Sequence, residues 1–436
     1  MAQRSDEAHV VVVGGGPGGS TVAALLARRG WRVTLLEKSR HPRFHIGESL
    51  LPMNMPIFER LGVLEQVKAI GTRKLGADFP SPNEAGYNVF RFARTINPGT
   101  GYAVQIRRSE LDQMLFENAR AAGADMREGV EVLGVDFDAR DVTVRARAAD
   151  GAALELRADY LVDASGRHTL LGTALQLKRK HARHQSAALF AHFAGVARRA
   201  GADAGNISIY RFAYGWVWMI PLPGDVMSVG AVCYPEYLKQ RSGDNAAFLC
   251  ATLEGIPGAR ERMRGARMAG NLHATGNYSY VCSRMAGARW IMVGDAYAFL
   301  DPIFSSGVYL AMNSAEMAAD VIAGSLRAPQ REAALQRAYA RRVRRGLGRL
   351  SWFIYRFTSP AMQRLFAYPR NVLQVERAMV SMLAGDVFDS PRVWWRLQVF
   401  KLIYYSTYLR LWSRSRRNSA ARHRQVGAVF EGENLL

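Results

Sequence analysis

His9-Val10-Val11-Val12-Val13-Gly14-Gly15-Gly16-Pro17-Gly18-Gly19 is the stretch on which the fold turns. Its first half is a short β-branched run that reads as a strand buried on both faces. Its second half is a glycine turn. A helical stretch, Ser20 to Arg29, follows, then Gly30, then a second apolar run, Val33 to Leu36, ending at Glu37. Strand, glycine turn, helix and strand in this order form a dinucleotide-binding unit, and each part has a physical task. Gly14 permits the tight turn, Gly16 lets the backbone approach a pyrophosphate, and Gly19 lets helix and strand pack closely. The helix N-terminus offers free N–H groups and a positive dipole end to the phosphates. Glu37 closes the second strand, where an acid accepts hydrogen bonds from ribose hydroxyls. A glycine-rich loop alone would say little; the complete context makes the reading specific.

Two later segments say which dinucleotide. Tyr160-Leu161-Val162-Asp163-Ala164-Ser165-Gly166-Arg167 and Trp290-Ile291-Met292-Val293-Gly294-Asp295-Ala296 are both apolar strands ending in an Asp beside small residues. Such a carboxylate sits at the carboxyl end of a strand, where a long ligand presents its hydroxyls. The glycine turn, the Asp163 segment and the Asp295 segment resemble the three fingerprints of FAD-dependent aromatic hydroxylases and their relatives. The resemblance implies FAD as cofactor, with Asp163 and Asp295 among its contacts. Arg107, in Gln105-Ile106-Arg107-Arg108-Ser109-Glu110-Leu111-Asp112, resembles that family's arginine on the flavin side. No second glycine fingerprint follows a strand; the stretch from Gly255 to Gly270 is arginine-rich and lacks a preceding apolar run. NADPH therefore has no obvious domain of its own.

The expected fold is α/β: a Rossmann-type FAD-binding domain, an inserted antiparallel β layer over the substrate, and a mainly helical C-terminal lobe. The FAD-binding part is assigned to 1–80, 100–180 and 281–330, the sheet to 81–99 and 181–280, and the lobe to 331–436. Alternating, aromatic-rich sequence from Ala187 to Val232 supports the sheet.

Four segments narrow the class. Pro42-Arg43-Phe44-His45-Ile46-Gly47-Glu48-Ser49-Leu50-Leu51-Pro52 resembles the PRxxxGExL segment that flavin-dependent halogenases share with geranylgeranyl-reductase-like flavoproteins. There it runs beside the flavin, which implies contacts from Arg43, Gly47, Glu48 and Ser49; a loop that merely packs is the plainer reading. Gly215-Trp216-Val217-Trp218-Met219-Ile220-Pro221 resembles the GxWxWxIP signature of the halogenases through its WxWxIP part, with Gly215 directly before Trp216 and Tyr214 at the position of the signature's glycine. Alternation puts Trp216, Trp218 and Ile220 on one face, an apolar wall near the flavin. Asp301-Pro302-Ile303-Phe304-Ser305-Ser306-Gly307 opens a helix from Val308 to Ala323, and a helix N-terminus after small residues is an anion site. It resembles the halogenase turn in which backbone amides matching Ser306 and Gly307 hold the halide, with Pro302 and Gly307 against the flavin. Phe304 stands where tryptophan halogenases carry a glutamate, which points to the phenol- and pyrrole-type branch and puts Phe304 in the tunnel wall.

Lys74, in Arg73-Lys74-Leu75-Gly76-Ala77-Asp78-Phe79, resembles the catalytic lysine of that family. By itself a lysine is most often solvated. The resemblance implies a two-component system in which a separate NAD(P)H-dependent flavin reductase supplies FADH2. Reduced flavin and O2 give a C4a-hydroperoxide, halide (chloride or bromide) attacks it, and the hypohalous acid so formed is held by Lys74, as a hydrogen-bonding ammonium or a haloamine. Burial readily moves a lysine pKa, so either form is accessible. Glu48 and Asp78 are candidates for the base that removes the ring proton. The competing readings are a flavin hydroxylase or an isoprenoid-lipid reductase of the same fold. A non-catalytic flavin scaffold would need neither Lys74 nor the Ser305-Ser306-Gly307 turn.

Composition sets the frame. A chain of 436 residues, 49% hydrophobic and 22% charged, is ordinary for a globular enzyme of two or three domains. Its charge is not ordinary: 58 Lys and Arg against 37 Asp and Glu give +21, concentrated beyond Arg331. A basic surface attracts polyanions. Nucleic acid, anionic lipid and acidic carrier proteins are all candidates; no nucleic-acid module is recognisable, and charge alone does not choose among them. With the halogenase resemblance, the basic C-terminal lobe suggests an aromatic substrate carried on an acidic acyl-carrier protein. A basic, aromatic helix from Pro391 to Leu411 could lie on a membrane, but packing against the body is the favoured reading. The tail after Ser413, with Arg414, Arg416, Arg417, Arg422 and Arg424, reads as mobile. Cys233, Cys250 and Cys282 have no metal-type spacing and point to a reducing cytoplasm; no metal, signal peptide or membrane span is expected.

Overall fold

The computed structural model describes residues 8–415 apart from 82–85, 98, 182–185, 242, 277–278 and 370; side chains of 412–415 are not described. Most of the arginine-rich tail therefore lies outside the described residues.

A six-stranded sheet carries the dinucleotide unit, in the order Ala286–Gly287, Trp290–Met292, Tyr160–Asp163, His9–Val13, Arg32–Glu37, Asp125–Glu128. All neighbours pair in parallel except the first two strands. His9–Val13 lies inside this sheet and is buried throughout, which accounts for its unbroken apolar run. Register aligns Val13 with Asp163 and with Leu36, and Asp163 with Met292, so the three motifs finish at the same edge. The helix Pro17–Ala27 starts with Pro17 in its first turn and gives way to Gly30 at φ +84°.

An eight-stranded, mostly antiparallel sheet forms the second layer, running Arg267–Met268, Ala187–Ala194, Val226–Cys233, Gly215–Leu222, Ile207–Phe212, Gly76–Pro80, Tyr87–Arg91, with His273–Gly276 also on Ala187–Ala194. Gly76–Pro80, grouped by sequence with the flavin portion, pairs here instead, parallel to Ile207–Phe212. Gly215–Leu222 is buried at all positions because both of its faces are covered. Trp216, Trp218 and Ile220 join the main core, whereas Val217 and Met219 join a second core on the opposite face.

Beyond Arg331 the chain is helical: Glu332–Arg356, Pro360–Ala367, Val375–Leu383 and Pro391–Ser415. The first runs unbroken through Ser351. On the last helix Val393, Leu397, Phe400 and Tyr404 turn inward, while Trp394 and Trp395 remain 42% exposed. Among the described residues no helix is long and apolar enough to cross a membrane.

Candidate functional site

A cavity of about 470 Å3 opens where the two sheets meet, from the glycine turn past Trp216 and Trp218 to Gly307. At its nucleotide end the backbone is built for glycine. Gly14 has φ +104°, and a Cβ at Gly19 would fall 1.9 Å from the Gly14 carbonyl oxygen. Gly16 is open by contrast; its nearest neighbour in that direction is Arg43 Nη2 at 3.9 Å. Glu37 accepts from the Gly15 and Ser39 amides at 2.6 and 2.9 Å, so it braces the turn as well as lining the cavity.

The segment after Pro42 arches over the cavity, held by charge. Arg43 pairs with Asp112 at 3.2 Å. Arg108 engages both oxygens of Asp112, at 2.8 and 3.0 Å, and donates to the Ile46 carbonyl at 2.8 Å. Gly47, at φ +109°, lets the chain turn past Arg108. Of the adjacent pair Arg107 and Arg108, it is thus Arg108 that lines the cavity. Arg107 precedes the helix Arg108–Ala121 as its N-cap and turns away to Glu110 and the Pro223 carbonyl. His45 donates Nδ1–H to the Ile46 carbonyl, and the neighbouring Arg108 cation holds its pKa down at about 4, so the imidazole is neutral at pH 7. Glu48 is buried and meets His192 Nε2 through Oε1 at 2.9 Å, while its Oε2 has no hydrogen-bond partner among the described residues. Ser49 lines the cavity beside it.

The two aspartates of the strand ends part company. Asp163 does not line the cavity: its oxygens accept from the amides of Ser165 and Leu171 at 3.0 and 2.8 Å, holding the following turn. Asp295 does line it, and burial pushes its pKa up to about 6 despite Arg167 and Arg108.

Trp216, Trp218 and Ile220 form the apolar wall. The indoles stand 5.7 Å apart, and Phe190 lies 5.7 Å from Trp218. Gly230 makes room for them, since a Cβ there would come within 2.3 Å of the Trp218 ring. At the far end Ser305 takes a left-handed conformation (φ +56°), and Ser306 occupies the N-cap position of the helix Gly307–Arg327 without a side-chain capping hydrogen bond. Pro302, Ser305 and Gly307 line the cavity, and a Cβ at Gly307 would meet open space. Ser306 is buried beside it without lining it. Phe304 is not in the wall either: it is buried, its ring edge-on to Phe357 at 5.4 Å.

Lys74 is buried and does not itself line the cavity, but it reaches Ser49, which does. Its Nζ donates to Ser49 Oγ at 2.9 Å and to the Leu50 carbonyl at 3.0 Å, and it lies 5.3 Å from the centre of the Phe92 ring. Burial, only partly offset by Asp78, brings its pKa down to about 7. Asp78 itself is committed to Arg199 and Asn206, at 3.0 Å each, and faces away from the cavity. Of the two suggested bases, only Glu48 reaches the site.

The sequence reading missed Arg108, Arg167 and His192. Arg108 differs from the chosen arginine by one residue, and only the start of the helix decides between them. Arg167, which lines the cavity and donates to Thr275 Oγ1 at 2.8 Å, was quoted within its motif without a role. His192 meets Glu48 across 144 residues of sequence, and no local signal reports such a contact.

The residues present fit FAD. A cavity lined from the glycine turn to Gly307, a glycine cradle open at Gly16 and a buried carboxylate oxygen without a partner among the described residues match a dinucleotide carrying a polar ring system. Residues 7–348 match the model of the FAD binding domain family, so the chain is a flavoprotein of that class. It is 35% identical over 366 residues to the flavin-dependent halogenase gsfI of Penicillium aethiopicum, covering 77% of this chain and 68% of that one. It is 28% identical over 412 residues to the 1H-pyrrole-2-carbonyl-[peptidyl-carrier protein] chlorinase of Pseudomonas fluorescens, covering 88% and 90%. The solved structure of the myxobacterial chondrochloren halogenase CndH superposes with a TM-score of 0.77 at 31% identity, covering 89% and 99%. The chain belongs to the flavin-dependent halogenases. A flavoprotein/dehydrogenase of Cytophaga hutchinsonii, 26% identical, superposes with a TM-score of 0.84 over 92% and 99%, so the scaffold alone does not fix the reaction.

Proposed function

We propose that the protein halogenates an electron-rich aromatic, a phenol or a pyrrole, by electrophilic substitution, with Lys74 holding the oxidised halogen. The observation that carries this reading is the setting of Lys74: a buried amine with a pKa near 7, separated from the flavin cavity by Ser49. When bound, reduced flavin supplies with O2 and halide the hypohalous acid. The chain's own residues do the rest. Gly14, Gly16 and Gly19 with the following helix hold the pyrophosphate, and Glu37 the ribose. Arg43, Gly47, Glu48, Ser49, Arg108, Arg167 and Asp295 surround the remainder of the cofactor, and Pro302 and Gly307 close it. The Ser306 and Gly307 amides, at the positive end of a 21-residue helix, serve the halide. Trp216 and Trp218 exclude water from the wall.

Lys74 acts as a proton donor to the halogen-bearing oxygen, and a pKa close to the working pH suits that task. Glu48, paired with His192, is placed to take up a proton released at the cavity. Supply of FADH2 by a separate reductase, and delivery of the aromatic on an acidic carrier protein, accord with the basic C-terminal lobe and the likeness to a carrier-protein chlorinase. Lys74→Ala tests the assignment. With a flavin reductase and bromide, product formation on a panel of phenols and carrier-bound pyrroles should drop about 100-fold or more while the bound-flavin absorbance persists. Undiminished product would remove Lys74 from the chemistry. A hydroxylase or reductase reading, favoured by the dehydrogenase likeness, instead requires NADPH oxidation without a partner and no halide dependence.

A further inference from the structure

The wall that carries Trp216 and Trp218 continues onto a cation that the halogenase chemistry described above leaves unused. Arg211 lies on the strand Ile207–Phe212 directly opposite Trp216. Opposed residues of antiparallel strands share a face, and alternation adds Ile207 and Ile209 to it. Ile207 and Trp216 line the cavity; Arg211 shares their face but lies just beyond the lining, toward Phe357 and the C-terminal helices.

Its surroundings do not match its charge. Nη1 is buried without a hydrogen-bond partner, and among the described residues no carboxylate pairs with the guanidinium. The nearest compensation is the ring of Phe357, 5.0 Å from the guanidinium carbon. That ring also meets Phe304 edge-on at 5.4 Å and Phe79 at 5.8 Å, tying the position to the 301–307 turn and to the strand that follows Lys74. Desolvation alone pulls its pKa down to about 10, so Arg211 stays charged at neutral pH. A guanidinium carries five N–H donors, and a buried donor left unpaired is costly. Arg211 is partly buried overall, with Nη1 fully enclosed; Arg108, buried at the cavity, shows the usual solution, since it forks onto Asp112.

We propose that Arg211 recognises an anionic oxygen, a carboxylate or a phenolate, on the aromatic substrate and so sets which aromatics are accepted. The planar fork of arginine matches such a group, and the apolar surroundings strengthen the pairing. A phenolate held there is also more electron-rich than its phenol, which favours substitution by an electrophile. The proposal rests on the halogenase reading for the identity of the ligand as substrate.

The test is calorimetric titration of the FAD-loaded protein, without reductase or halide, with four aromatics. They are 4-hydroxybenzoate, its methyl ester, 4-methoxybenzoate and methyl 4-methoxybenzoate, at a pH where the carboxylates are ionised and the ester's phenol partly so. At least one ionisable compound should bind more tightly than the fully blocked one. Arg211→Met should abolish that preference, with a loss of about 30-fold for the preferred anion and little change for the blocked compound. Arg211→Lys should restore part of it. The compound that responds distinguishes carboxylate from phenolate. Thermal melting of Arg211→Met should be unchanged or raised, because an uncompensated charge is removed. A wild-type protein without the preference, or a preference that survives in Arg211→Met, overturns the proposal. Bromide-dependent product is scored separately in the presence of reductase, so binding selectivity and halogenase activity fail independently.

Discussion

Lys74 illustrates how a residue type becomes a reagent through its surroundings. In water the ammonium would hold its proton to about 10.5; buried against Ser49, Leu50 and Phe92 it releases it near 7. Between those values the unfolded chain binds more protons at this site than the folded one, so stability rises with pH from about 7 to 10.5. Denaturant titrations across that range should show the rise, and Lys74→Met should flatten it; an unchanged slope would mean that Lys74 is not desolvated. The proton-donor role makes the opposite demand on activity, since halogenation should decline above pH 7 as the ammonium is lost. Lys74 was legible in the sequence only through its surrounding motif, because spacing alone does not reveal burial. Arg107 and Asp163 show the limit of that route. Each stands in the right motif, but one helix start and two backbone amides turned their side chains to structural tasks.

At the scale of elements, pattern carried further. The βαβ unit is where the glycines placed it, and period-two alternation correctly separated Trp216, Trp218 and Ile220 from Val217 and Met219. Gly19→Ala tests the packing argument. Its methyl would fall 1.9 Å from the Gly14 carbonyl oxygen, within backbone. The expected outcome is a loss of about 1–3 kcal/mol in stability together with weaker FAD retention, read by denaturation and flavin absorbance. Retention of both would contradict the close approach. Less legible was Gly76–Pro80, recruited to the second sheet by a parallel pairing with a strand far along the chain. Long-range pairing and tertiary support leave no mark in a local window.

For the whole molecule, two sheets enclose the flavin cavity and a basic helical lobe lies beyond it. Arg341, Arg344, Arg345 and Arg392 are exposed there. If the lobe receives an acidic carrier, KM for a carrier-bound aromatic should rise steeply with salt, and charge reversal at these arginines should raise it further. Activity on the free aromatic should hardly change. An equal response from both substrates would assign the lobe another task. Charge was readable from composition, whereas its partner was not, since charge attracts polyanions without distinguishing them.

The central claim is that this cavity converts halide into an aromatic carbon–halogen bond. It is tested most directly by supplying the purified protein with FAD, a flavin reductase, NADH, O2 and an electron-rich aromatic, with and without bromide, and reading the products by mass spectrometry. The account predicts brominated product that requires both bromide and reductase. Hydroxylated or reduced product that forms equally without bromide would contradict it.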